Sequence, residues 1–492
     1  MRASGVLLPI ASLPSNYGIG SFSKSAYEFI DALEKAGQKY WQILPVGPTG
    51  YGDSPYQSVS TFAGNPYFID PEALVENGLL TREECEGYDF GSSLRYIDYE
   101  KIYLSRFDML YKAYQRSNIS VNKDYQEFCK ENAFWLEDYA LYMAIKKNFG
   151  GQSFHEWPEA VKLREKSVIS EYKSKLEDEV EFYTYIQFLF HSQWMGLREY
   201  AAQHGVKIIG DIPIYVAYDS ADTWSHPELF QLDQNLIPIV VAGCPPDSFS
   251  ANGQLWGNPL YRWEYHRETE YEWWLQRISY SLHLYDVLRI DHFKGLDEYY
   301  AIPYGKATAE GEWKKGPGYE FFEYIDKKLG KVNIIAEDLG YITQSVKDLL
   351  RKTGFPGMKI LEFAFDSREA SDYLPHNYAH NCVVYTGTHD NDTILGWFQQ
   401  INEDDRAMAL KYINREQKDI KEINWDFIRL AMQSVADLCV IPVQDYLGLS
   451  SEARINIPST VGNNWKWRLL EGEFQEDLLK KIHEITKLYG RL

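Results

Sequence analysis

Cysteine is scarce in this chain. Five of 492 residues are Cys (Cys85, Cys129, Cys244, Cys382 and Cys439), an odd number with no C-x-x-C spacing. That argues against a disulfide framework and a zinc knuckle, and it fits a reducing cytoplasm. Positive charge is also short: 50 Lys and Arg stand against 71 Asp and Glu, a formal net charge of -21. An acidic surface argues against nucleic acid or an anionic membrane as partner and leaves neutral and cationic ligands open. No apolar run reaches the roughly 18 residues a membrane-spanning helix needs. The opening MRASGVLLPIASLPS is only superficially like a signal peptide, because Arg2 alone precedes a short apolar run that Pro9 interrupts. It reads instead as a first strand. Repeats, low-complexity tracts and evident linkers are missing as well, so any subdomains are expected to pack on a common body.

What is present is an ordinary globular composition, 45% hydrophobic and 25% charged, with one excess: aromatics reach 15%, including 38 Tyr and 14 Trp. A large core absorbs many of them. A sugar-binding cleft would use others, because flat amphipathic rings stack on sugar faces while Tyr OH and Trp NH donate hydrogen bonds. The length is too great for one minimal domain, and suits one large barrel with insertions or two to three domains.

Eight short apolar runs end at polar or Gly/Pro positions: 5–13, 40–50, 207–216, 286–293, 333–340, 358–365, 382–390 and 438–448. Helical patterns follow several of them, among them 26–37 and 342–354, the latter with Thr343 as a candidate N-cap. Buried strands alternating with helices predict a parallel α/β sheet, and eight of them predict a (β/α)8 TIM barrel over a doubly wound open sheet. The spacing is uneven. Residues 51–206 predict a mostly helical insertion, carrying helices near 134–150 and 181–205. A second insertion spans 217–285, and its Pro-, Gly- and Asn-rich core, 245–263, reads as loop. The whole of 1–492 is expected to be one catalytic barrel, without a separate C-terminal β-sandwich.

The strand exits carry the chemistry. Asp291 in RIDHF, Glu337 in AEDLG and Asp390 in GTHDND are carboxylates at exits that a barrel gathers round one mouth. Two chemistries use such a set: glycoside chemistry, with one carboxylate attacking and another protonating the leaving oxygen, and a magnesium site. Plainer readings are that Asp291 only pairs with Arg289 or His292, and that Asp338 only caps the following helix. Arg289 lies two residues before Asp291 and so points the same way. A neighbouring guanidinium favours the ionised carboxylate a nucleophile needs, whereas metal ligand sets rarely tolerate a cation among them. Asp211 adds a fourth polar exit. Sugar is favoured over metal.

These stretches, with LLPIASLPSNYGIGSFS, WQILPVGPTGYGDSPYQSVSTFAGNPYFI (41–69), GDIPIYV, PPDSFSANGQLWGNP, FPGMKILEFAF and GNNWKWR (462–468), resemble in content and order the amylomaltases, or 4-alpha-glucanotransferases (disproportionating enzymes). These form glycoside hydrolase family seventy-seven of the alpha-amylase superfamily, and the likeness spans nearly the whole chain. The resemblance implies that Asp291 is the nucleophile, Glu337 the general acid/base and Asp390 the transition-state stabiliser. It places Arg289 and His389 in the donor sugar site, and matches Asp211 to a position shared across the superfamily. Gln254 and Trp256 fall in a loop that covers acceptor sugars, and Tyr56 in a motif associated with glucan contact. Many amylases carry a His five residues after the third-strand Asp; Val216 stands there, which the resemblance ties to transferases. No cofactor, no metal and no structural calcium are implied. The implied partners are α-1,4-glucans and maltooligosaccharides, with glucose or maltose as acceptor. The alternatives are an α-glucan hydrolase of the same superfamily, a magnesium-dependent barrel lyase or epimerase, and a non-catalytic glucan-binding protein.

Overall fold

Twelve strands occur among the described residues: β1 (Ala3–Leu7), β2 (Tyr40–Gln42), β3 (Lys207–Ile212), β4 (Val240–Cys244), β5 (Gln254–Pro259), β6 (Val287–Ile290), β7 (Glu298–Pro303), β8 (Glu312–Lys315), β9 (Ile334–Ala336), β10 (Gly357–Ile360), β11 (Cys382–Tyr385) and β12 (Leu438–Pro442). The structure is a computed structural model and describes residues 2–50, 52–246, 252–416 and 421–492. β1, β2, β3, β6, β9, β10, β11 and β12 form one parallel sheet in that order, and β12 pairs back onto β1. The ring is nearly closed: at the β9–β10 junction, Ala336 N donates to Pro356 O at 3.0 Å. All eight strands lie within or against the eight runs singled out above. The fold is a (β/α)8 barrel.

Alternation of side chains across each strand sorts the interior into layers. Leu7, Ile209, Ile335, Met358, Ile360, Val383 and Val440 pack with Tyr385 into one buried apolar cluster. Tyr385 carries the first polar step, its hydroxyl donating to Gln42 Oε1 at 2.8 Å. Asp211 and Arg289 are register partners on β3 and β6. The polarity therefore rises toward the C-terminal mouth, where a barrel is open to ligand.

Helices cover the outside, beginning with Lys24–Lys35 after β1. The helix after β9, Gln344–Thr353, starts where the sequence suggested: Thr343 accepts from Val346 N. Between β10 and β11 only two 3-10 turns form, Leu361–Phe363 and Pro375–Asn377, so one crossover lacks its α-helix. Eight α-helices lie between Pro71 and Gln203, including Ala133–Asn148 and Glu177–Gln203. From the last of these, Gln187 grips Gly64, accepting from its N–H at 2.7 Å and donating to its carbonyl at 2.9 Å. Gln193 accepts from Asp70 N at 2.7 Å. The insertion thus fastens both ends of 64–70, just beyond the loop that carries Tyr56.

A second sheet, antiparallel, runs β5-β4-β7-β8 beside the mouth. It corrects the reading of 245–263 as loop. Residues 247–251 of that segment lie outside the described residues, but Gln254–Pro259 is strand, paired to β4 with a register shift between Val241 and Gly243. Gly257, at φ +79° with open space around it, lets this short strand bend where a side chain would be strained. After β12 the chain ends on the helix Glu476–Leu488, and no β-sandwich follows among the described residues. No described helix is long and apolar enough to cross a membrane.

Candidate active site

Arg289 organises the mouth. Its Nη1 donates to both carboxylate oxygens of Asp211, at 2.8 and 2.7 Å, and its Nη2 to Asp291 Oδ1 at 2.9 Å. The guanidinium and Asp211 are almost completely buried, while the Asp291 side chain keeps 27% of its surface. Burial disfavours the charge on Arg289, but Asp211 and Asp291 outweigh that and keep it firmly protonated. A buried pair of this kind is rarely a net source of stability, though losing one partner costs about 3–5 kcal/mol. Here it fixes the orientation of Asp291, the one member open to the mouth.

Glu337 lies one residue past β9. Its Oε2 accepts from His292 N at 2.6 Å and its Oε1 from Leu339 N at 2.8 Å. His292 has left-handed backbone angles, φ 50° and ψ 47°, a conformation that costs a non-glycine residue about 1–3 kcal/mol. The strain turns its N–H onto Glu337. Burial and the negative charge of Asp291 raise the Glu337 pKa to about 7, against the opposing pull of Arg289 and the two backbone donors. Asp338 points elsewhere. It accepts from Met358 N at 2.6 Å on β10, and Thr343, not Asp338, caps the helix that follows. Gly357 leaves room for it, since a Cβ there would stand 2.5 Å from Asp338 Oδ2.

Asp390 sits past β11. His389 Nε2 lies 3.3 Å from its Oδ2, and Asn456 Nδ2 donates to its Oδ1 at 2.7 Å. Desolvation pushes the Asp390 pKa up, but His389, Asn456 and Arg289 outweigh it and bring it down to about 2. The same contact raises His389 against burial. Tyr56 stacks on His389, ring centroids 5.1 Å apart, and donates to Asp211 Oδ2 at 2.7 Å. Gln254 and Trp256 stand on β5: Trp256 Nε1 donates to Gln254 Oε1 at 3.0 Å and its ring meets His292 edge-on at 4.9 Å.

All nine candidate residues therefore gather at one mouth, linked as Gln254–Trp256–His292–Glu337 on one flank and Asp291–Arg289–Asp211–Tyr56–His389–Asp390 on the other. Several neighbours had no sequence signal of their own. Asn456 comes from a segment without motif. Arg454 Nη2 donates to Asp390 O at 2.9 Å. Trp465 packs 6.0 Å from His389 and 5.9 Å from Tyr56; the GNNWKWR stretch that contains it stood out, but with no role. Among the described residues no group of three or more His, Cys, Asp or Glu side chains is arranged to hold a metal ion. The space between Asp211 and Asp291 is filled by a guanidinium.

A carboxylate at a strand exit fixed beside a cation, a second carboxyl poised near neutrality, and a third held ionised among rings form a set suited to glycosyl transfer. Known proteins agree. The 4-alpha-glucanotransferase family model matches residues 8–473. A 4-alpha-glucanotransferase of Clostridium butyricum is 48% identical over 98% of this chain and 99% of its own length. One from Thermus thermophilus is 44% identical over 100% of this chain and 99% of its own. The structure of amylomaltase from Streptococcus agalactiae in complex with acarbose superposes with a TM-score of 0.96, at 41% identity and full coverage of both chains. Matched by the family model over almost its whole length, and by relatives from end to end, this chain belongs to the 4-alpha-glucanotransferase family.

Proposed function

We propose that this 4-alpha-glucanotransferase moves α-1,4-glucan segments by a retaining double displacement in which Asp291 is the nucleophile and Glu337 the acid/base. The observation that carries the assignment is the contrast between the two carboxyls: one paired to Arg289 and open to the mouth, the other held near neutrality. Arg289 occupies Asp291 Oδ1, so Oδ2 is the attacking atom. It bonds to C1 of the donor sugar as the C1–O4 bond breaks, and the departing oxygen takes the electron pair and the Glu337 proton. The glycosyl ester on Asp291 cancels the charge that had helped to raise Glu337, whose pKa falls, so the ionised carboxylate is ready as base. It removes the proton from an acceptor 4-hydroxyl, that oxygen bonds to C1, and the ester electrons return to Asp291. Asp390, His389 and Tyr56 grip the donor sugar, and Arg289 lines its site by holding Asp291 in place; Gln254 and Trp256 cover the acceptor. Neither a metal nor another cofactor has a step.

We further assign residues 1–492 to one catalytic unit, with 51–206 as the insertion that anchors the Tyr56 loop and 217–285 as the one that covers substrate. Glucose or maltose serves as acceptor. A cytoplasmic role in starch, glycogen or maltodextrin metabolism suits the reaction and the sparse cysteines. Maltotriose alone separates this reading from a hydrolase: transfer gives glucose and longer oligomers, hydrolysis gives chiefly glucose and maltose. EDTA should leave the activity unchanged, whereas a magnesium-dependent lyase would lose it.

Two results follow from the geometry. Glu337 must be protonated for the first step, so kcat/KM for maltotriose should fall as pH rises through about 7, the raised Glu337 value. A donor with a self-sufficient leaving group, such as α-glucosyl fluoride, should lack this limb in its first step. An alkaline limb of equal size with both donors would remove Glu337 as its cause. Trp256→Ala should raise the share of hydrolysis roughly two- to tenfold, because stacking of about 0.5–1.5 kcal/mol is lost from the acceptor and water replaces it. An unchanged ratio of transfer to hydrolysis would make Trp256 only a packing residue of the small sheet.

A further inference from the structure

Lys294 follows Asp291 by three residues and is only 7% exposed. Its Nζ donates to Tyr341 O at 3.2 Å, lies 3.3 Å from Glu298 Oε1 and sits 4.0 Å from the centroid of the Trp313 ring. Tyr341 follows Glu337 by four residues, and its own ring centroid is 5.9 Å from the same ammonium. Trp313 stands on β8, the edge of the small sheet, braced edge-on by Tyr300 at 5.2 Å. One cation thus ties together the exit of β6, the exit of β9 and the small sheet.

The two rings it holds are not buried by this arrangement. Trp313 is 43% exposed and Tyr341 84%. Desolvating a lysine is costly unless its partners compensate, and a strut between loops would have no need of open aromatic faces. Open rings on a clamped base are what a sugar chain stacks on. Their position selects which chain. Tyr56, Asp211, His389 and Asp390 crowd round Arg289, on the donor side of Asp291. Lys294 and Tyr341 belong to the loops on the Glu337 side, where the leaving and entering oxygens lie.

We propose that Trp313 and Tyr341, clamped by Lys294, form a stacking platform for a distal part of the acceptor α-1,4-glucan, favouring long acceptors over glucose. The inference rests on the assignment of Glu337 to the acceptor oxygen. Its test uses α-glucosyl fluoride as a short common donor and compares kcat/KM for glucose and for maltoheptaose as acceptors in the unaltered enzyme, Trp313→Ala, Tyr341→Ala and the double variant. The double variant should lose roughly fivefold or more on maltoheptaose and nothing on glucose, with Trp313→Phe losing less than Trp313→Ala. An equal loss on both acceptors, or no loss on either, overturns the platform. Tyr341→Ala, at a position so exposed, keeps the test decisive if Trp313→Ala does not fold. Failure of the underlying assignment would look different: Glu337→Gln would then keep near-normal transfer from maltotriose, whatever the ring variants do.

Discussion

Asp291→Asn should fold normally and lose transfer from maltotriose by at least about a thousandfold, the scale seen when a nucleophile is removed from an otherwise intact site. An amide oxygen is too poor a nucleophile to form the glycosyl ester. The fold should survive because Arg289 keeps its two bonds to Asp211, and the oxygen of the introduced amide can still accept from Nη2. The thermal transition should therefore move little, which separates this variant from one that strands Arg289 or Asp211 in the barrel. A second, independent consequence follows. The charge of Asp291 is one cause of the raised Glu337 pKa, after burial. Without it, Glu337 should titrate lower, and carboxyl signals followed by infrared or NMR should show the shift. Substantial residual transfer, with contaminating activity excluded, would mean that another group attacks C1.

The barrel could be read from sequence because its strands are buried on both faces, so each shows as an apolar run, and because each run ends in polar residues where the mouth begins. The small sheet could not. β8 is Glu312–Lys315, exposed along its whole length, and β5 contains Gly257, Asn258 and Pro259, residues that mark turns. Their pairing comes from tertiary neighbours, not from a period of two. The absence of an α-helix after β10 was equally hidden, since helical patterns were read after only several of the runs. At the site, Asp291, Glu337 and Asp390 were legible as charges that a core strand does not keep without reason. Asn456 was not, because its bond to Asp390 spans 66 residues. His292 stood in the motif, but nothing in its letter announces a left-handed backbone or that its main chain, not its ring, serves Glu337.

Glu337 and Asp338 are adjacent acids, and their substitution should give opposite results. Glu337 is held by His292 N and Leu339 N over the mouth, while Asp338 turns to Met358 N in the next strand. Glu337→Gln should lower transfer from maltotriose by about 10²–10⁴-fold, the usual contribution of a positioned acid. The loss belongs to the leaving group. Fluoride departs with little protonation, so α-glucosyl fluoride should still glycosylate Asp291 in this variant. The intermediate should then accumulate, since no base remains to activate the acceptor, and mass spectrometry of the denatured protein should find one added sugar on the peptide containing Asp291. Asp338→Asn retains an oxygen for Met358 N. It should keep near-normal transfer, with a stability loss of about 0.5–1.5 kcal/mol if that hydrogen bond weakens. Should Glu337→Gln use maltotriose almost normally while Asp338→Asn does not, the acid/base would be Asp338, and the hydrogen bonds that aim Glu337 at the mouth would serve only to brace the turn after β9.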